Sequence, residues 1–402
     1  MRQIRIFIAA ILVHLTLSFT QLLAMSLSSN MLKPGFISTP NSNVLVTGSS
    51  GLVGSRLVEM LLLRGAKLVK CLDIVPPNDT LRKRFLIAAG GEKGSGRIEY
   101  ITSSLTDVSS VYNSCKNVDI VYHIAALVGP FHDRSKYMEV NYNGTLNIIE
   151  GCKKHKVPKL VYSSSPSTRF HGHDVTGQRE EELTYPKKYL ALYAESKAYA
   201  EMEVSKVCCD ELLTVSIAPH QVYGPYDSLF LPALLETAGN NNLRVFGPGK
   251  NLISVCYVDN YCHGLMCGAD KLEPKSPVLG KFYIITDGPP VPFWTMINQA
   301  VIAMGFVDLF TKFHLPTWFL MLLAHIADVI GFLLRVKLKL NPFNVKMLTI
   351  HRYFSIENAK RDLKYEPVLE YEVAWKSTIE WFKVNWLPGF LARNKYGRKT
   401  VI

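Results

Sequence analysis

The chain has 402 residues, enough for one large domain or a domain with a smaller lobe. Its composition, 48% hydrophobic and 19% charged, supports a packed core and argues against disorder. The net charge of +12 raises nucleic acid or an anionic membrane as partners, yet the basic residues are dispersed, with short runs only at Lys153–Lys156 and at Arg335, Lys337 and Lys339. No zinc-finger spacing, RNA-binding aromatic signature or long basic stripe accompanies them, so a nucleic-acid partner is not expected. The eight cysteines are scattered without a CxxC pair, which indicates neither a metal site nor a disulfide framework.

Residues 1–42 read as a targeting or anchor segment and linker. Ile6–Ala24 is apolar after Arg2 and Arg5 and resembles a signal peptide or signal anchor. Leu22 stands where a small residue is expected if cleavage followed Ala24. Arg2 and Arg5 would hold the N-terminus in the cytosol and send the rest into the lumen, against the expectation of a cytosolic cofactor. Initiation at Met25 or Met31 would remove that conflict. From Asn43, short apolar runs alternate with amphipathic stretches. Val44–Val46, Lys67–Leu72, Ile120–His123, Lys159–Tyr162 and Leu213–Ala218 are expected strands, and Leu52–Arg64, Val108–Ser114 and Met138–His155 expected helices. That alternation predicts an α/β fold, a Rossmann-type doubly wound parallel sheet over residues 43–224. Beyond Gly224 the rhythm loosens, and residues 225–402 read as a smaller C-terminal substrate-binding lobe. Within it Leu315–Leu334 is nearly all apolar, but carries His325 and Asp328 near its middle. A charge there makes a clean span unfavourable, and a helix lying in the membrane interface or covering an apolar tunnel suits the segment better.

After the first strand comes Thr47-Gly48-Ser49-Ser50-Gly51-Leu52-Val53-Gly54, opening into a helix. Glycines there allow a tight turn and close approach of a pyrophosphate to the backbone, and the helix N-terminus attracts phosphate. Gly48, Gly51, Leu52 and Gly54 are therefore expected at the cofactor. Asp73, ending the second strand, is placed to accept from ribose hydroxyls and to repel a 2′-phosphate, so NAD is expected rather than NADP. Asp107 is placed either to meet the adenine or to cap the helix at Val108.

Tyr193 and Lys197 stand four apart, on one face of a helix. A tyrosine near pKa 10 is a poor base at neutral pH, and a neighbouring ammonium favours the phenolate that takes a substrate proton as hydride leaves. Upstream lies Tyr162-Ser163-Ser164-Ser165-Pro166, where a hydroxyl can stabilise the reacting oxygen. Ser165 is the expected residue and Ser164 the fallback. Asn141 either supports the lysine through a water or is satisfied within its own helix.

Together these residues resemble the extended short-chain dehydrogenases, and within them the 3β-hydroxysteroid dehydrogenase/isomerase family, most closely its decarboxylating sterol-4α-carboxylate branch. The resemblance runs from about Asn43 to about Lys383. It rests on Thr47–Gly54, His123-Ile124-Ala125-Ala126, Val140–Thr145, Ser163–Ser167 and Tyr193–Lys197. Pro219–Pro225, Tyr257-Val258-Asp259-Asn260 and Pro292-Phe293-Trp294 point to the sterol branch. It implies Ser165, Tyr193 and Lys197 as catalytic residues and adds Ala125, with Tyr193 and Lys197, to the NAD contacts. It also implies a sterol or steroid substrate, membrane lipid as a partner at the endoplasmic reticulum, and the homodimer common in the superfamily. No metal is implied. Two departures bear on the substrate: Ala218 stands where the family usually has Arg, and Tyr226 where it often has a basic residue. Arg169, just past the serines, is a candidate cation for the substrate carboxylate, with a surface arginine as its plainer reading.

Overall fold

The computed structural model describes residues 39–129, 132–334 and 340–397. The apolar 6–24 segment, most of the linker, and Arg335, Lys337 and Lys339 lie outside the described residues.

The short apolar runs form strands β1 (Asn43–Thr47), β2 (Leu68–Asp73), β3 (Ile98–Thr102), β4 (Ile120–His123) and β5 (Lys159–Ser163), with β6 (Val175–Gln178) leaving for a second sheet. β7 (Leu213–Pro219) returns and is followed by β8 (Val222–Tyr223), β9 (Leu252–Ile253), β10 (Cys256–Tyr257), β11 (Phe282–Ile285), β12 (Val291–Pro292) and β13 (Arg352–Phe354). Seven strands make one sheet in the order β11-β7-β5-β4-β1-β2-β3, and every pairing in it is parallel. Parallel neighbours need crossovers, which the helices Leu52–Leu63, Asp79–Ala88, Val108–Ser114, Gly144–His155 and Leu192–Lys206 belong to. The side-chain alternation of a strand splits the interior in two. Val44 and Val46 of β1 enter one apolar core and Leu45 the other, so both faces of the sheet are covered. The winding direction reverses between β1 and β4, and the crevice outside the strands' carboxyl ends is where ligands bind in such sheets.

A mixed sheet in the order β12-β9-β13-β6 and the β10-β8 pair build the smaller lobe. The division expected at residue 224 is crossed in both directions. β6, from before it, joins the lobe sheet, while β11, from beyond it, completes the large sheet. The helix Val258–Asp270 also packs back on the helix Leu52–Leu63. The expected helix over 138–155 is interrupted, with Met138–Asn143 widened into a π turn before Gly144–His155. Such a turn re-aims side chains near functional sites. The apolar 315–334 stretch is a helix, Thr317–Leu334, docked through Leu320 and Ala324 on Val345. Among the described residues no helix is long and apolar enough to cross a membrane.

Candidate active site

The glycine loop leaves β1 at Thr47. Gly48 has a φ of 72°, and a Cβ there would stand 2.9 Å from the Ala125 backbone. A Cβ on Gly54 would stand 2.0 Å from the Gly48 carbonyl oxygen, so the helix can pack on the loop only with glycine there. Gly51 is the exposed N-cap and provides no side-chain cap, which leaves the first N–H groups from Leu52 onward open to an anion. At the end of β2, Asp73 accepts from the Ser50 N–H and the Val75 N–H, both at 2.9 Å. These bonds fix its carboxylate beside the loop. A side-chain-free cradle with a carboxylate at its edge fits a dinucleotide bearing free ribose hydroxyls. Asp107 caps the helix Val108–Ser114, accepting from Ser110 N–H at 3.1 Å and Ser109 Oγ at 3.0 Å. These hydrogen bonds, the Ser110 N–H first, hold its carboxyl below the usual range.

Behind the loop runs a chain that the sequence reading did not assign. Thr47 Oγ1 accepts from the Ile124 and Ala125 N–H groups, each at 3.1 Å, and so has its own proton for His123 Nδ1 at 2.8 Å. His123 Nε2 then donates to Thr145 Oγ1 at 2.9 Å, which donates to the Asn141 carbonyl at 2.6 Å. Burial, and secondarily Lys197, push His123 down to about 3, so the ring is neutral as this order of donors requires. Asn141, placed by the π turn, spans two elements. Its Oδ1 accepts from Leu127 N–H at 2.7 Å, and its Nδ2 donates to Leu127 O and to Ser196 Oγ, each at 3.0 Å. It therefore ties the loop after β4 to the helix of Tyr193 and Lys197, and its side chain is not satisfied within its own helix.

The helix Leu192–Lys206 begins where the chain meets the carboxyl end of β5, bringing Tyr193 to Ser165. Burial holds Tyr193 up at about 12, against the opposing pull of the Ser165 hydroxyl. Lys197, 2% exposed, donates to the Ser163 carbonyl and stands 4.1 Å from the centre of the Tyr162 ring. Burial brings it down to about 7, against the opposing pull of Glu201. In the protein alone desolvation is the leading influence on both groups, and the lysine's hydrogen bond goes to the backbone. Tyr137 packs edge-on against Tyr193, ring centres 6.5 Å apart, with its hydroxyl donating to the Gly129 carbonyl. Its spacing of four from Asn141 in one helical stretch was the available signal.

The serines divide. Ser165 caps the short turn Pro166–Arg169 and keeps its hydroxyl partly open. Ser164 is buried and donates to Glu201, which removes the fallback candidate from the crevice. Glu201, one turn past Lys197, also accepts from Arg169 at 2.5 Å and Tyr185 at 2.6 Å. Arg169 is neither the surface arginine nor the carboxylate receptor considered from sequence. Its side chain is buried, donates to Thr168 Oγ1 at 2.8 Å, and stacks 3.6 Å from the Phe282 ring centre. A guanidinium already paired with a carboxylate has no charge to offer a second one.

The remaining motifs meet at Asp287, which accepts from Tyr223 Oη at 2.8 Å and from Tyr257 N–H and Asn260 Nδ2 at 2.7 Å. Arg56 donates to Asp259 at 2.5 and 2.9 Å, locking the cofactor-side helix to the lobe. Of the departures, Ala218 is buried in an apolar cluster with Val175, Phe282, Ile284 and Phe354. Tyr226 packs at a tilt against Trp381, ring centres 4.8 Å apart, and receives the Arg84 guanidinium at 4.0 Å.

A model of the 3-beta hydroxysteroid dehydrogenase/isomerase family matches residues 45–315. A human protein named sterol-4-alpha-carboxylate 3-dehydrogenase, decarboxylating, is 31% identical over 345 residues, covering 84% of this chain and 87% of that protein. A 2-alkyl-3-oxoalkanoate reductase of Stenotrophomonas maltophilia is 29% identical over 332 residues, covering 82% of this chain and 96% of that protein. Among solved structures, a dTDP-glucose 4,6-dehydratase from Streptomyces venezuelae with NAD bound superposes with a TM-score of 0.65 at 19% identity, covering 85% of this chain and 97% of that one. The fold is therefore that of the extended short-chain dehydrogenases, and by the family match and the human relative the chain belongs to the 3-beta hydroxysteroid dehydrogenase/isomerase family.

Proposed function

We propose that the protein oxidises the 3β-hydroxyl of a 4α-carboxysterol with NAD, and that the product loses carbon dioxide. The observation that carries the reading is the meeting of Ser165, Tyr193 and Lys197 at the carboxyl end of β5, where the Ser165 hydroxyl acts on the Tyr193 phenol and Lys197 donates to the Ser163 carbonyl. The Gly48–Gly54 loop and Asp73 would hold NAD, which would supply the hydride acceptor for C3. Ser165 and Tyr193 hold the substrate oxygen, and Tyr193 takes its proton. A phenol held near 12 acts as a base only where positive charge gathers, and Lys197 contributes that charge from below. The resulting 3-ketone lies β to the carboxylate. The C4–carboxyl bond then breaks with its electrons passing to the C3 oxygen, and C4 is reprotonated. No further catalytic group is needed for that step. The relatives' names share this chemistry: in both, a carboxylate sits on the carbon next to the reacting one.

A sterol substrate resides in lipid, and the exposed apolar residues Trp318, Leu322, Val329 and Leu333 of Thr317–Leu334 support work at a membrane surface, that of the endoplasmic reticulum. The substrate is decided by offering the purified protein, with NAD or NADP, a 4α-carboxysterol and a 3β-hydroxysteroid lacking the carboxylate. Reduction of NAD by the acid with release of carbon dioxide is expected. Turnover of the uncharged steroid alone would move the protein to the steroid branch.

A further inference from the structure

Half-buried Arg56 and buried Arg169 face carboxylates, Asp259 and Glu201, each at 2.5 Å. Arg352, on β13, does not. Its Nη2 donates to the Met347 carbonyl at 2.9 Å, its Nη1 meets His220 Nε2 at 3.4 Å, and its Nε is buried without a hydrogen-bond partner. His220 Nδ1 donates to the Ser254 carbonyl at 2.6 Å, so its Nε2 is the acceptor that orients the guanidinium. Burial alone pulls Arg352 down to about 10, with no acidic group opposing it. A half-buried guanidinium with no carboxylate partner, and with one N–H that meets no acceptor, favours the approach of an anion.

The place of Arg352 says which anion. His220 directly follows Pro219, the end of β7, and β7 lies beside β5, whose end leads to Ser165. Lys346, the residue before Met347, brings its Nζ within 3.8 Å of the point a Cβ on Gly172 would occupy, beside Leu190, and Leu190 stands three residues before Tyr193. Among the described residues no carboxylate pairs with Lys346 or Arg352. Arg352, against His220, and Lys346, against Gly172, thus stand beside segments that lead to Ser165 and to Tyr193.

We propose that Arg352, flanked by Lys346, receives the carboxylate of the substrate. This rests on the reading of the substrate as a β-hydroxy acid. Arg352 is a specificity residue and takes no part in hydride or proton transfer. The test uses the NAD-bound enzyme with a 4α-carboxysterol and an uncharged 3β-hydroxysteroid. Arg352→Gln should raise KM for the acid about 10- to 100-fold, the worth of a charged hydrogen bond. It should leave KM for the uncharged steroid and Kd for NAD within about twofold, and Arg352→Lys should recover part of the loss. Equal losses on both substrates, or none on the acid, would overturn the assignment while leaving the proposed reaction intact. If the unaltered enzyme oxidises only the uncharged steroid, the substrate reading fails. Arg352 is then judged by the carboxysterol as an inhibitor of that oxidation: a Ki raised in Arg352→Gln keeps the assignment, and an unchanged Ki ends it.

Discussion

At the scale of single residues, the arrangement around Ser165 and Lys197 depends on Glu201. This carboxylate gathers Ser164, Thr168, Arg169 and Tyr185 one turn below Lys197, and so fixes the Ser165 turn against the helix of Tyr193. Its charge also opposes the desolvation of Lys197. Glu201→Gln should therefore lower the pH at which Lys197 loses its proton, moving the alkaline limb of kcat/KM downward. It should also cost about 3–5 kcal/mol in urea unfolding, because Arg169 is left buried and unpaired. An unmoved alkaline limb would show that Glu201 acts on structure alone. That Tyr193 and Lys197 share one helix was legible from their spacing. Arg169 was not, because sequence reveals a charge but not its burial or its partner. Asp107 shows a related limit: a residue before Val-Ser-Ser suits a cap and a ligand contact equally, and the structure shows it capping.

At the scale of elements, the parallel sheet was legible because its strands are short apolar runs set between helical periods. The π turn was not, since the residues of Met138–Asn143 read as ordinary helix, and it is this turn that places Asn141. Nor was β11 tied to the large sheet by any local pattern, because that pairing is made by tertiary contact across the 62 residues between Pro219 and Phe282. The ends of β1 and β4 are joined to the helix Gly144–His155 through neutral His123. Held at about 3 against an ordinary 6.5, His123 and His220 bind protons in the unfolded chain before the folded one. Stability from both is present above about 6.5 and is lost as pH falls towards 3. Asp287, pushed up to about 6, opposes this between 6 and its ordinary 3.8, but is one group against two. Unfolding measured at pH 7 and pH 5 should show a loss on the order of 2 kcal/mol per histidine. His123→Gln, which can keep both hydrogen bonds, should shrink the difference. A loss of the same size in the variant would place the acid sensitivity elsewhere.

At the scale of the molecule, the large sheet carries the cofactor loop and the catalytic segment, while the lobe brings Arg352 and the exposed apolar helix. Trp318 and Leu333, 71% and 72% exposed, stand near opposite ends of that helix. The proposal of work at a membrane predicts that the protein floats with phosphatidylcholine vesicles, and that replacing Trp318, Leu322 and Leu333 by Ser abolishes flotation while NAD binding is unchanged. Flotation equal to that of the unaltered chain would remove this helix as the membrane contact.

The central claim is that a single site oxidises C3 and thereby releases the carboxyl group. We would follow NADH and carbon dioxide together from a 4α-carboxysterol, in the unaltered protein and in Tyr193→Phe. The account predicts equal amounts of the two products from the unaltered protein, and loss of both in the variant. Carbon dioxide still released by Tyr193→Phe without NADH would contradict it, because decarboxylation would then not depend on the oxidation.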